Sequence, residues 1–220
     1  MILRGAFEVA RREGLDGMSM PGLAAHLNVG VTSIYWYFRS KEDLLQQMYL
    51  SAAKSFQGRL ITPEGFAPDD WRNYLSQLFR QFRSMLELDE LFAELLLHPM
   101  AGHSGVDTPS AYDILEAHIA YLVSAGFTPR AAWDVYACLV MFTRGITISD
   151  RARRRSGYPP EGVAQLSRFD VSAAPVIARL VSDEGVSIDM SGDTFLPGLN
   201  MILDAAAARL AAERSPGAGA

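Results

Sequence analysis

The sequence predicts an all-α protein, a small N-terminal unit of three helices followed by a larger C-terminal helical domain. Apolar residues recur at three- and four-residue spacing in segment after segment, the period of a helix with one buried face. No stretch sustains the period-two alternation of β-branched residues that a half-buried strand needs. With 49% hydrophobic and 20% charged residues over 220 positions, the chain has enough apolar material to bury a core.

The elements follow in order. Residues 2–13 put Leu3, Ala6, Phe7 and Ala10 on one face and Arg4, Glu8 and Arg11 opposite, and Gly14 and Gly17 end that helix. Ser19 is placed to cap a short second helix with Leu23, Ala24 and Leu27 inward. Asn28 then makes the tight exit, because Asn tolerates the left-handed conformation. A third helix is expected from about Val31 to Phe38, and Ser40-Lys41-Glu42-Asp43 reads as a capping box opening a fourth. Residues 62–68, with Pro63, Gly65 and Pro68, form a loop and the best boundary by composition. Beyond it lie a long and a shorter helix over 69–98, a loop over 99–109 and a helix over 110–125 ended by Gly126. Thr128-Pro129 opens a long helix reaching about Arg154. Residues 156–170 are poorly periodic; helices near 172–184 and 193–213 and a disordered tail complete the chain. The expected division is 1–45, 46–214 and a tail of 215–220.

Three short helices with a tight turn between the last two form a helix-turn-helix pattern. With Ile34 at the centre of the third helix's inward face, Phe38 and Val31 fall beside it, Thr32, Ser33 and Trp36 point outward, and Tyr35 and Tyr37 lie on the flanks. Four consecutive aromatics span most of a helix circumference, so Tyr35 to Phe38 cannot all be core. Trp36 beside two hydroxyls suits a major-groove surface, where hydroxyls meet base edges and rings meet thymine methyls. Lys41, in the first turn of the next helix, adds a cation to free backbone N–H groups, a phosphate clamp. The overall charge of −5 argues against a DNA binder, but residues 1–55 carry six basic and five acidic side chains, a net of +1 against −6 for the rest.

The stretch AFEVARREGLDGMSMPGLAAHLNVGVTSIYWYFRSKEDLL, and SIYWYFRSKEDLL within it, resembles the tetracycline-repressor (TetR) family of bacterial regulators. The resemblance implies DNA contacts from Thr32, Ser33, Tyr35, Trp36, Tyr37 and Lys41, with Ser19 near a phosphate. It implies a homodimer on a near-palindromic, double-stranded operator, released by a small-molecule effector, with repression the usual mode and the cytoplasm the site of action. Two departures bear on affinity for DNA. Asn28 and Gly30 stand where members more often have Gly and a polar capping residue. The chain also opens at its first helix, where members carry a few residues more, so either a start upstream or weaker DNA binding is expected.

Downstream, WRNYLSQLFRQFRSML, ELLLHP, SAGFTPRAAWDVYACLVMFTRGITISD and DTFLPGLNMILDAAAARLAA resemble the C-terminal domain of the tetracycline-repressor branch. The helix after Pro129 is apolar on two faces, one assigned to an effector cavity and one to a dimer partner. Val135, Leu139 and Phe142, with Leu199, Leu203, Ala206 and Leu210 of the last helix, are the expected interface, and the resemblance implies that the two helices pair with their symmetry mates as a four-helix bundle. Phe82, Trp133, Tyr136 and Val140 are the expected apolar walls of the effector pocket and His118 its polar handle. Antibiotic-binding members hold a drug–magnesium complex with histidines and an acid. Here no His lies between His26 and His98, and Ser149 stands where the acid is expected, so an apolar or aromatic effector is favoured over tetracycline.

Other classes find little support. No His-x-x-x-His or Glu-x-x-His pair offers a metal site, and no cofactor or catalytic residue is expected. Gly102-His103-Ser104-Gly105 has the start of a nucleophile elbow, but Val106 replaces the second Gly and no strand precedes it. No run of about 18 apolar residues is free of charges, so no membrane span is expected. The single Cys138 excludes an intrachain disulfide, which fits a reducing compartment. Arg151, Arg153, Arg154 and Arg155 sit at a helix C-terminus, where the dipole favours cations.

Overall fold

A computed structural model describes residues 1–97, 109–156, 173–183 and 194–214. Among the described residues all regular structure is helical: α1 (Ile2–Gly17), α2 (Met20–Leu27), α3 (Val31–Tyr35), α4 (Lys41–Gln57), α5 (Trp71–Leu88), α6 (Glu90–Leu97), α7 (Pro109–Ser124), α8 (Pro129–Ser156), α9 (Pro175–Ser182) and α10 (Phe195–Arg214), with a single 3₁₀ turn, Pro68–Asp70, leading into α5. The expected loop over 99–109, the Gly102–Val106 stretch within it, most of 156–170 and the tail lie outside the described residues. The chain divides into two compact units, Met1–Ala132 and Trp133–Ala220.

The first unit is built on a continuous core. Val9, Leu15, Leu23, Ile34, Leu44 and Met48 are buried together, and Leu91 and Leu95 of α6 join them. The core of the helix-turn-helix is therefore closed by a helix some fifty residues further along, with α6 packed on both α1 and α4. Gly5 permits the close approach of α1 and α2: a Cβ there would fall 2.6 Å from Leu27 Cδ2. Gly14 breaks α1 with φ 76°, a conformation that L-residues avoid, and one further helical turn runs on to Gly17, so the two glycines expected to end the helix are its kink and its last residue.

The remainder of this unit is an aromatic core. Tyr74, Leu75, Leu78 and Phe79 of α5 are buried. Trp71 meets Phe127 edge-on at 5.1 Å and Tyr74 meets Tyr121 at 4.8 Å. Gly126, at φ 104°, ends the α7 segment as its sequence predicts.

In the second unit, Leu139 of α8 and Leu199, Leu203, Ala206 and Leu210 of α10 are buried, and Phe142 stacks on Phe195 with ring planes 9° apart. Arg209 joins Asp134 at 3.1 Å and Glu213 at 3.3 Å. The expected dimer stripe lies on these two helices. Val135, Leu139, Leu199, Leu203, Ala206 and Leu210 are enclosed within the chain itself, and Phe142 is half-buried there. A periodic apolar stripe marks burial without saying whether the covering surface belongs to the same chain. The faces left exposed are the neighbouring ones, Met141, Gly145 and Ile148 on α8 and Met201, Ala205 and Ala208 on α10. Both helices also reach a mean hydropathy of 1.2 over 18 residues. The Asp134–Arg209 pair ties α8 to α10, as in packed amphipathic helices.

Candidate nucleic-acid interface

Local sequence fixes the reading surface at both ends. The Ser19 hydroxyl accepts from Gly22 N at 3.1 Å and caps α2. Asn28 is left-handed (φ 54°, ψ 46°), so the chain reverses within three residues before α3. At the far end the Ser40 hydroxyl accepts from Asp43 N at 3.2 Å. The returning bond of the capping box is displaced by one residue: the Asp43 carboxylate accepts from Arg39 N, at 2.8 Å. Acceptance of these two backbone N–H groups fixes the path from α3 into α4.

Between these anchors α3 is shorter than its sequence suggests. It ends at Tyr35, and Tyr37 N turns back to Ile34 O, tightening the last turn. Ile34 is fully buried and Phe38 half-buried, as expected from their spacing. Val31, expected beside them, is exposed. The remaining side chains form one open surface: Thr32 and Ser33 are exposed, Tyr35 half-exposed, Trp36 84% exposed and Tyr37 73% exposed. The outward aromatics thus hold the positions assigned from helical spacing, although Trp36 and Tyr37 project from the turn after α3 and not from the helix itself.

Lys41 is less free than a surface lysine. Its ammonium donates to Asp16 O at 3.0 Å, linking the start of α4 to the end of α1. An ammonium has three donors, so two remain for a phosphate oxygen. Arg39 beside it is exposed and was not singled out from sequence; two positions from Lys41 and next to the aromatics, it adds a second cation to this edge. The other bases of α1 are engaged: Arg4 with Glu8, Arg11 with Asp89 and Arg12 with Glu13. His26 of α2 meets Glu8 at 2.9 Å, and that hydrogen bond holds the Glu8 carboxyl below its ordinary range.

The residues expected at the effector site divide between the two units. In the first, Phe82 is half-buried, edge-on to Phe56 at 5.2 Å. His118 is buried, and its Nδ1 shares a short hydrogen bond with the Tyr74 hydroxyl. Burial lowers the His118 pKa to about 4, so the ring is neutral. Tyr74 is the partner that sequence reasoning missed; forty-four positions separate the pair, and no local pattern links them. In the second unit Tyr136 and Val140 are half-buried and Trp133 is 47% exposed. Burial pushes the Tyr136 phenol up to about 12.

Comparison with known proteins gives consistent results. A family model described as bacterial regulatory proteins, tetR family, matches residues 2–48, and one described as the tetracyclin repressor-like C-terminal domain matches residues 64–210. An HTH-type transcriptional repressor of Mycobacterium tuberculosis is 35% identical over 222 residues, covering 99% of this chain and 83% of the relative. The class C tetracycline repressor protein of Escherichia coli is 27% identical over 205 residues, 92% of this chain and 87% of that protein. The crystal structure of the TetR family protein ActR of Streptomyces coelicolor, in complex with actinorhodin, matches with a TM-score of 0.73 at 20% identity, over 94% of this chain and 95% of that one, a likeness of fold.

Proposed function

Because the chain belongs to the tetR family of bacterial regulatory proteins, we propose that it is a transcriptional repressor that holds operator DNA as a homodimer and releases it when a small molecule binds. The observation that carries this reading is the open aromatic surface of Tyr35, Trp36 and Tyr37 beside Thr32 and Ser33, anchored to the core by Ile34 alone within α3. A solvated monomer gains nothing from displaying three adjacent aromatic rings, whereas a major groove offers them methyl groups and sugars. Ser19 and Lys41 contact phosphates on either side, and Arg39 supplements Lys41.

Residues 1–45 are the reading head and 46–214 the sensing and pairing domain, acting in the cytoplasm. Two heads sit on half-sites about one DNA turn, roughly 34–36 Å, apart. The exposed faces of α8 and α10 make the dimer contact, backed by the enclosed stripe of Leu139, Leu203 and Ala206; the small Gly145, Ala205 and Ala208 let the paired helices approach closely. The effector is apolar or aromatic; within the first unit Phe82 offers it an apolar wall and neutral His118 a polar contact. A clean switch requires the effector to favour the released state by about 5.5 kcal/mol.

The test is an electrophoretic shift with DNA flanking the protein's own gene, run beside a Tyr37→Ala, Lys41→Ala double variant. A salt-sensitive shift that the double variant loses is the expected result. A shift retained in full by the double variant overturns the assigned interface.

A further inference from the structure

A half-open cavity of about 620 Å³ lies within the first unit among α1, α4, α5 and α6. That is within the range of about 300–1,000 Å³ typical of small-molecule sites, and Phe82, assigned above to the effector, does not line it. Its lining is amphipathic. Phe7, Phe56 and Phe92 supply aromatic surface, with Phe56 and Phe92 stacked at 4.7 Å. Arginines and carboxylates share the rim. Arg4 is opposed by Glu8 at 3.8 Å and Arg11 by Asp89 at 3.5 Å, both long, exposed pairs of small net worth. Arg59, also on the rim and exposed, makes no ion pair among the described residues. The cavity thus carries one cation in excess within a chain of net charge −5.

We propose that this cavity is a second effector site, for a planar aromatic monoanion whose ring lies against Phe7, Phe56 and Phe92 while its carboxylate or sulfonate meets Arg59. An aromatic lining with one uncompensated guanidinium selects such a molecule over a neutral hydrocarbon, which leaves the arginine unused, and over a dianion, which meets Asp89 and Glu8. Its walls join α1 of the reading head to α4 and α6, so an occupant stiffens the junction whose geometry sets the separation of the two heads. That consequence for DNA rests on the repressor reading; the site itself does not.

The probe is 8-anilinonaphthalene-1-sulfonate, titrated into the intact protein and read by its fluorescence, for the wild type, Arg59→Glu and Ser55→Trp. Ser55 is an exposed position on the lining, so the indole fills the cavity without disturbing the core. Saturable binding of one probe per chain is expected, about tenfold weaker in Arg59→Glu, as for loss of one charged hydrogen bond, and abolished in Ser55→Trp. Binding that both variants leave unchanged, or no saturable binding in the wild type, overturns the site. The titration contains no DNA, so its failure leaves the operator reading standing. Operator affinity that is unchanged at saturating probe refutes the regulatory consequence alone.

Discussion

His118 makes the stability of the protein depend on pH in a defined window. Its ring is 1% exposed and hydrogen-bonded to Tyr74, and burial lowers its pKa from 6.5 to about 4. The unfolded chain takes up a proton below pH 6.5 and the folded chain does not. The stability this neutral ring permits is therefore complete above pH 6.5 and is lost as pH falls from 6.5 toward 4. Each pH unit in that window costs about 1.4 kcal/mol, so at pH 5.0 the loss from this residue is about 2 kcal/mol per chain. His118→Gln removes the titration and keeps a polar partner for Tyr74. Urea unfolding at fixed protein concentration, at pH 7.5 and 5.0, should show the wild type losing about 2 kcal/mol more than the variant on acidification. Equal losses, or a His118 midpoint at or above 6 by NMR, would refute the argument. An effector that reaches His118 at neutral pH then meets an uncharged ring.

Four further outcomes follow from the same structure. Ser40→Ala removes the cap on Asp43 N and should cost about 1 kcal/mol, seen as a lower Tm, and should weaken operator binding because Lys41 begins the same turn. Gly198→Ala brings a Cβ to 2.8 Å from Phe142 Cε2, against a ring held by Phe195; overpacking of about 1–3 kcal/mol should outweigh the gain in helix propensity, and Phe142→Leu in the same chain should restore the Tm. Trp36→Ala should leave the Tm within about 1 °C while weakening operator binding more than tenfold, since the side chain is nearly free of its own protein. Lys41→Met should reduce the slope of log K against log salt by about 2 for the dimer, one unit for each lost phosphate contact.

Local chemistry was legible in the sequence wherever a few adjacent residues decide the outcome. Ser19 and Ser40 act as caps because their hydroxyls accept from neighbouring N–H groups, and Asn28 makes the turn because it adopts the left-handed conformation while its own N–H donates to the last carbonyls of α2. Trp36 is exposed as its helical spacing suggested, although it projects from the turn after α3. Features that depend on distant segments were not legible. Nothing in α1 to α4 announces that Leu91 and Leu95 complete their core, and nothing near His118 names Tyr74. The apolar stripe of α10 gave the correct buried face, and periodicity measures burial, not which surface covers it. The shortness of α3 arises from competition: Ser40 and Asp43 pull the chain into α4 before another turn of α3 can form.

The three tryptophans occupy three different surroundings, Trp36 open to solvent, Trp71 almost wholly enclosed and Trp133 half covered. The chain is consequently its own optical instrument. Iodide should quench the emission of Trp36 strongly, that of Trp133 partly and that of Trp71 hardly at all. Operator binding should shield the first, subunit association the second, and only unfolding should expose the third. A single quenching series can therefore compare the arrival of DNA with events in the second unit, without attaching a dye to either.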